Sequence, residues 1–84
     1  MNKEEKAWVR WITDYGCVIC RSPADIHHVS RKSHLETIPL CPRHHRLGEN
    51  TEVFVSIHPW KREFERRHGS EKELIDNLRR IYAK

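Results

Sequence analysis

The chain has 84 residues, of which 37% are hydrophobic and 33% are charged, and its net charge is +4. This length predicts one domain over residues 1–84, and at about 70–80 residues an apolar core alone gives marginal stability. No apolar run approaches a membrane span of about 18 residues and no signal-peptide pattern occurs, which argues against integral membrane and conventionally secreted proteins. Three cysteines cannot all pair, so we expect a reducing, cytoplasmic compartment rather than a disulfide framework.

The N-terminal segment is predicted to form a helix. Asn2 can cap it, and Glu5 follows three residues later in a capping-box arrangement. Gly16 supplies the left-handed residue that ends the helix. Its apolar face consists of Trp8, Trp11, Ile12 and Tyr15. We interpret this face as part of the core rather than as a stacking surface for nucleic acid.

The helical period disappears between Cys17 and Pro42. Residues 26–29 and 37–40 are rich in apolar or β-branched side chains and are bounded by polar turns, which predicts the two strands of a hairpin. Pro42 then suits the first position of a short helix that carries His44 and His45.

Two further helices are predicted after a break at residues 48–50. Residues 51–57 favour burial, but their period does not decide between helix and strand. Pro59 opens the first helix, which contains Trp60 and Phe64 and ends at Gly69. A capping box of Ser70 and Glu73 begins the second helix, whose apolar face consists of Leu74, Ile75, Leu78, Ile81 and Tyr82.

The cysteines form two short motifs. Cys17-x2-Cys20 and Cys41-x2-His44 are separated by twenty residues, and each motif brings two ligands together across a turn. Together they supply the four ligands of a closed tetrahedral zinc site. We therefore predict one structural Zn²⁺, which would tie together the two ends of the hairpin; buried free cysteines are the alternative.

The seven histidines include two adjacent pairs close to these cysteines. His27 and His28 lie on opposite faces of the first predicted strand, because strand side chains alternate. His45 follows the zinc ligand His44 at the start of the short helix. One histidine of the strand can therefore converge with His45 in a ββα arrangement, while the other points beside them.

These motifs together resemble the HNH endonuclease superfamily, the ββα-metal nucleases, and in particular the small phage-borne branch that includes the recombination-enhancement nucleases. The matching segments, which fall within about residues 15–69, are Cys17-x2-Cys20, the strand 25–29, residues 38–45 and the tail 56–69. The resemblance implies an α+β fold with a small zinc-stapled ββα-metal (His-Me finger) core, flanked by N- and C-terminal helices. It also implies a cytoplasmic protein of a bacterial host or a phage.

The resemblance further implies a metal-dependent DNA endonuclease that hydrolyses phosphodiester bonds. His28 is similar to the histidine that activates water as a general base. His27 and His45 are similar to ligands of one catalytic divalent cation (Mg²⁺, Mn²⁺, Ni²⁺ or Zn²⁺). His58 is favoured as the third ligand by similarity to the phage branch, with Glu49 as the alternative.

The central Asn of the family motif is missing from this sequence. His34 or Glu36 stands nearest to its expected place, where relatives carry the residue that orients the base. Asp25 lies two residues before His27 and falls on the same strand face, where it is either a partner of a ligand or a surface charge.

DNA is the expected partner, since the basic excess suits a polyanion. Phosphate contacts are predicted for Arg31, Lys32, Arg43 and Arg46, which would give weak, salt-sensitive and largely sequence-independent binding. Such binding would favour a dimer or a partner protein.

Two other functions also fit parts of the pattern. A non-catalytic zinc-ribbon module that binds nucleic acid explains the zinc ligands and the charge, but it leaves three histidines unused. A zinc-stapled protein-interaction domain leaves the basic excess unexplained as well.

Overall fold

The computed structural model describes residues 1–84 and has the predicted α+β architecture, with four helices and one two-stranded antiparallel sheet. In chain order the elements are α1 (Lys3–Tyr15), β1 (Asp25–His28), β2 (Thr37–Leu40), α2 (Pro42–His45), α3 (Ile57–His68) and α4 (Glu71–Tyr82). No helix has both the length and the apolar character that crossing a membrane requires.

The predicted capping of α1 is confirmed at both ends. The Asn2 side chain accepts a hydrogen bond from the Glu5 backbone at 2.7 Å, and the Glu5 carboxylate accepts one from the Asn2 backbone at 3.1 Å. Gly16 ends the helix with φ of 85°, and a Cβ there would lie 2.5 Å from the Arg21 carbonyl oxygen. Only glycine fits this position, since it combines a left-handed backbone with close approach of another chain segment.

The hairpin forms at the predicted place, with β1 beginning one residue earlier than expected. Asp25 pairs with Leu40 and His28 pairs with Thr37, so the register covers all four residues of each strand. All of β2 is buried, whereas β1 has His27 buried and His28 exposed. The alternation of a pleated strand therefore separates the two adjacent histidines, as predicted.

A buried hydrogen-bond chain connects α1 to the hairpin. Trp8 donates from Nε1 to the Thr37 hydroxyl at 3.0 Å, and that hydroxyl donates to the His34 carbonyl at 2.7 Å. The side chains of Trp8 and Thr37 are both shielded from water. Trp8 is thus part of the core, as interpreted from the sequence, and its polar edge also fixes the loop between the strands.

The start of α3 differs from the prediction. The helix begins at Ile57, and His58 (φ −105°, ψ 111°) and Trp60 (φ −92°, ψ 48°) are not helical. Steric conflict with Pro59 accounts for the non-helical conformation of His58, because the residue before a proline is driven towards extended conformations. Trp60 is exposed at 43%, while Phe64 is buried.

The segment 51–57, whose structure the periodicity left open, is mostly irregular and forms one bridge between Asn50 and Val55. The predicted capping box of α4 is present at Ser70 and Glu73. The apolar face of α4 is only partly as predicted, since Tyr82 and its neighbour Ile81 remain exposed. The buried part of that face consists of Leu74, Ile75 and Leu78.

We expect Thr37→Val to lower the free energy of unfolding by about 2 kcal/mol, because it keeps the shape but leaves the buried Trp8 N–H without an acceptor. Urea unfolding of the zinc-loaded protein measures the change. Thr13→Val is the matched control, because the Thr13 hydroxyl is exposed and bonds only within α1; its effect should stay within about 0.5 kcal/mol. Equal urea midpoints of unfolding for Thr37→Val and Thr13→Val would contradict the prediction.

Candidate active site and metal centres

The four predicted zinc ligands, Cys17, Cys20, Cys41 and His44, converge on one point and form the cysteine cluster. Their ligand atoms all lie within 4.8 Å of one another and could hold a metal ion. The Cys20 and Cys41 sulfurs are 3.7 Å apart, and His44 Nδ1 lies 3.6 Å from the Cys17 sulfur and 3.2 Å from the Cys41 sulfur. Two thiolates bound to one zinc ion at about 2.3 Å lie about 3.8 Å apart in a tetrahedron. The spacing therefore fits a tetrahedral zinc site with three sulfur ligands and one nitrogen ligand.

The surroundings of the cysteine cluster affect its ligands differently when no ion is bound. Burial raises the pKa of the Cys41 thiol to about 11 and lowers the pKa of His44. Burial also opposes ionisation of Cys20, but hydrogen bonds from Ser22 and from the neighbouring cysteines outweigh it and lower the pKa of that thiol. A bound cation would favour the thiolate of Cys41, so that binding releases a proton.

His68 lies beside the cysteine cluster. From the sequence we expect a surface residue at a helix end, and it is the last residue of α3, but its ring packs 5.7 Å from the His44 ring and 5.0 Å from the Phe64 ring. Burial lowers the pKa of His68. The helix therefore covers the cluster with a half-buried imidazole.

A second group of ligands, the histidine cluster, is formed by His27, His45 and His58. Their ligand atoms lie within 4.8 Å of one another. The three ring centroids are separated by 5.2 Å (His27–His45), 5.1 Å (His27–His58) and 5.2 Å (His45–His58). Three imidazoles bound to one ion at about 2.1 Å have centroids about 5 Å apart. The arrangement thus fits a single divalent cation, and the exposed His58 leaves one side open to solvent.

His58 reaches this cluster because the chain folds back between α2 and α3. The buried Ser56 hydroxyl accepts a hydrogen bond from the Glu49 backbone at 2.9 Å and donates to the Arg43 carbonyl. The Ser56 backbone also donates to the Glu49 carbonyl at 2.8 Å. These bonds hold the start of α3 against α2, next to His45.

The alternative ligand Glu49 lies elsewhere. Its carboxylate accepts two hydrogen bonds from the Arg43 guanidinium, at 2.7 and 2.8 Å. This bidentate pair lowers the pKa of Glu49. Of the two sequence candidates for a third ligand, the structure brings His58 to His27 and His45.

Asp25 is the partner of His45. Its carboxylate lies 3.2 Å from His45 Nδ1 and accepts a hydrogen bond from the Arg46 guanidinium at 2.8 Å. The hydrogen bonds from Arg46 and then from His45 lower the pKa of Asp25. With Nδ1 bonded to Asp25, His45 has Nε2 free to face the cluster.

Glu71 at the start of α4 is the partner of His27, and sequence reasoning missed it. Its carboxylate lies 2.7 Å from His27 Nε2 and 2.9 Å from Lys61 Nζ. Burial opposes ionisation of Glu71, but the hydrogen bonds from Lys61 and His27 outweigh it and lower its pKa. Burial also lowers the pKa of His27, although its contact with Glu71 acts in the opposite direction. The only signal in the sequence was an acidic residue in the first turn of a helix.

His28 lies on the other face of β1. Its Nε2 is 3.1 Å from Nδ1 of His34, in a contact between exposed side chains. The backbone of His34 donates to the Glu5 carboxylate at 3.1 Å, which ties the loop to α1. Glu36, the other candidate for the place of the family's Asn, closes the hairpin through its backbone carbonyl, which accepts from Val29 at 2.9 Å.

The four predicted phosphate contacts differ in how far they are already paired. Arg31 and Lys32 lie in the loop after β1, next to His28 along the chain. Arg43 and Arg46 lie on and just after α2, and both form ion pairs, with Glu49 and Asp25 respectively. The loop residues are therefore the freer pair of cations.

A family model described as recombination enhancement, RecA-dependent nuclease matches residues 2–82. The chain belongs to this family. Searches of the curated proteins and of the solved structures found no significant match. Family membership makes the protein a nuclease, and its cysteine cluster and histidine cluster are two places where a nuclease of this family could bind a metal ion.

We expect Cys41→Ser to remove zinc and to unfold much of the chain, since one ligand is lost and Cys41 also belongs to the core. Zinc content by mass spectrometry and far-UV circular dichroism measure the two effects. Ser22→Ala is the control, because it removes a neighbour of Cys20 but no ligand, and it should retain one zinc per chain. A folded Cys41→Ser protein without zinc would contradict a structural role for the ion.

Proposed function

We propose that this nuclease is a metal-dependent DNA endonuclease of the HNH type, with His28 as the general base and with His27, His45 and His58 as ligands of one divalent cation. The observation that carries the proposal is the convergence of three imidazoles at ligand distances, with the exposed imidazole of His28 adjacent to His27 in the chain. In keeping with the description of the family, we place the activity in recombination.

The three imidazoles fit a catalytic ion better than a structural one. They provide three protein ligands, and the exposed position of His58 leaves room for phosphate and water. A bound divalent cation would neutralise the negative charge that develops on the phosphate and on the leaving 3′-oxygen. The chain holds the ligands in place through Asp25 on His45 and Glu71 on His27.

His28 suits the role of base because it is an imidazole outside the histidine cluster. An imidazole that titrates near neutral pH can accept a proton from water as the water attacks phosphorus. The ring nitrogen of His28 that faces His34 is fixed by that contact, which leaves the other ring nitrogen for the water. His34 would then act as the positioning residue in place of the family's Asn.

DNA would lie across the edge formed by the loop after β1. Arg31 and Lys32 can contact phosphates directly, while Arg43 and Arg46 would share their charge with Glu49 and Asp25. So few contacts support weak, salt-sensitive binding without sequence preference.

We expect His28→Ala to lower the rate of nicking by about 100-fold or more, the usual contribution of a general base. Conversion of supercoiled plasmid to open circles measures the rate. Zinc content and circular dichroism should stay unchanged, because the His28 side chain is exposed and lies on the strand face away from the histidine cluster.

Wild-type activity in a folded His28→Ala protein would remove His28 from the mechanism. His58→Ala is the complementary variant: it should lose the exchangeable divalent ion along with the activity and should keep the tightly bound zinc. Loss of nicking only in His58→Ala would leave a metal nuclease with a different base.

We expect the substitutions His34→Ala and His34→Asn to differ in their effect on the rate of nicking. His34→Ala removes the hydrogen-bond partner of His28 and should reduce nicking about tenfold, the effect of one hydrogen bond of about 1.4 kcal/mol. His34→Asn restores a polar side chain of the kind the family carries, so it should recover most of the rate. The pH profile of nicking separates the roles, since the loss of a partner of the general base alters the acidic limb of the profile, where the base is protonated. Equal rates for the two variants would contradict a positioning role.

A further inference from the structure

Glu71 combines features that its place in a helix does not explain. Only 13% of its side chain is exposed, and the His27 side chain that it contacts is 7% exposed. The two residues are 44 positions apart in the sequence. An acidic residue in the first turn of a helix stabilises the helix even when it points into water, so that role requires neither burial nor a partner on β1.

The two oxygens of Glu71 have different partners. Oε2 lies 2.7 Å from His27 Nε2, and Oε1 lies 2.9 Å from Lys61 Nζ. Lys61 follows His58 on α3, so one carboxylate joins the strand that carries His27 to the helix that carries His58. Asp25 likewise contacts one histidine of the cluster and one cation, but His45 and Arg46 share its Oδ2.

A ring nitrogen that donates its proton to a carboxylate cannot bind a cation at the same time. Nε2 of His27 is engaged by Glu71, which leaves Nδ1 as the nitrogen with a free lone pair. Carboxylates placed in this way fix the tautomer and the orientation of a histidine ligand and increase its basicity.

We propose that Glu71 is a positioning residue for the histidine cluster, which holds His27 in the Nε2–H tautomer with Nδ1 directed to a divalent cation. This inference rests on the proposed function, because it assumes that the cluster binds the ion. Lys61 keeps the carboxylate in place and balances its charge. The start of α4 thereby helps to position a residue of the proposed active site.

The test is a Co²⁺ titration of the zinc-loaded protein, followed by the visible absorption of the bound ion. Glu71→Gln should weaken Co²⁺ binding by about tenfold without shifting the absorption band, because the ligand set is unchanged. Glu73→Gln is the matched control: it removes a negative charge from the same turn of α4 and preserves the capping box, so it should bind Co²⁺ as the wild type does.

Four outcomes of this titration would overturn the inference. Equal affinity of Glu71→Gln and the wild type would leave the ion site intact and remove Glu71 from it. Equally weakened Co²⁺ binding in Glu73→Gln would show that the effect comes from the loss of a negative charge at the start of α4. A shifted absorption band in Glu71→Gln would make Glu71 a direct ligand instead of a positioning residue. If the wild type binds no Co²⁺ beyond its zinc, the proposed function falls together with this inference.

A second measurement does not depend on the folding of a variant. In the wild-type protein without the exchangeable ion, nitrogen NMR of the imidazoles at neutral pH should show His27 protonated at Nε2. The Nδ1–H tautomer would contradict the proposal.

Discussion

The cysteine cluster is the constraint on which the rest of the geometry depends. Its ligands come from the segments before and after the hairpin, and the hairpin itself consists of only four residue pairs. A two-stranded hairpin is at best marginally stable in water. The apolar core is also small, with twelve buried residues that include Cys17 and Cys41. An ion in the cluster would fix the position of α2 beside β1, in addition to the contacts of Asp25 with His45 and Arg46. A tetrahedral site at this place would thus help to set the distance between the two elements that carry most of the candidate active site.

The pleat of β1 then divides the histidine pair between two tasks. Adjacent side chains on a strand point to opposite faces, so His27 enters the histidine cluster while His28 stays in water beside His34. An imidazole that binds a cation has no lone pair left to accept a proton from water. Under the proposed function, two adjacent histidines on a strand therefore separate ligand from base through the pleat of the strand alone.

The local signals in the sequence were sufficient for much of the fold. Capping boxes at Asn2 and Ser70, the stop at Gly16 and Pro42 at the first turn of α2 all act within a few residues, and each was predicted from the sequence. The cysteine spacing likewise indicated the cysteine cluster. The features that were missed depend on the tertiary fold: the exposure of Trp60, the packing of the half-buried His68 against His44, and the exposure of Ile81 and Tyr82. Periodicity shows which face of a helix is apolar, but not how far along the helix a partner covers it.

The carboxylates around the histidine cluster show most clearly that local sequence signals do not predict tertiary contacts. Asp25 could be placed near the site from the sequence, because it shares a strand face with His27 two residues away. Its actual partner is His45, twenty residues further on, and nothing local pairs them. Glu71 gave no functional signal at all, since an acid at the start of a helix has a sufficient explanation in the helix dipole. Its contact with His27 depends on where α4 packs, and that depends on the burial of Leu74, Ile75 and Leu78. The orientation of His27 in β1 is thus coupled to the apolar packing of the last helix through its contact with Glu71.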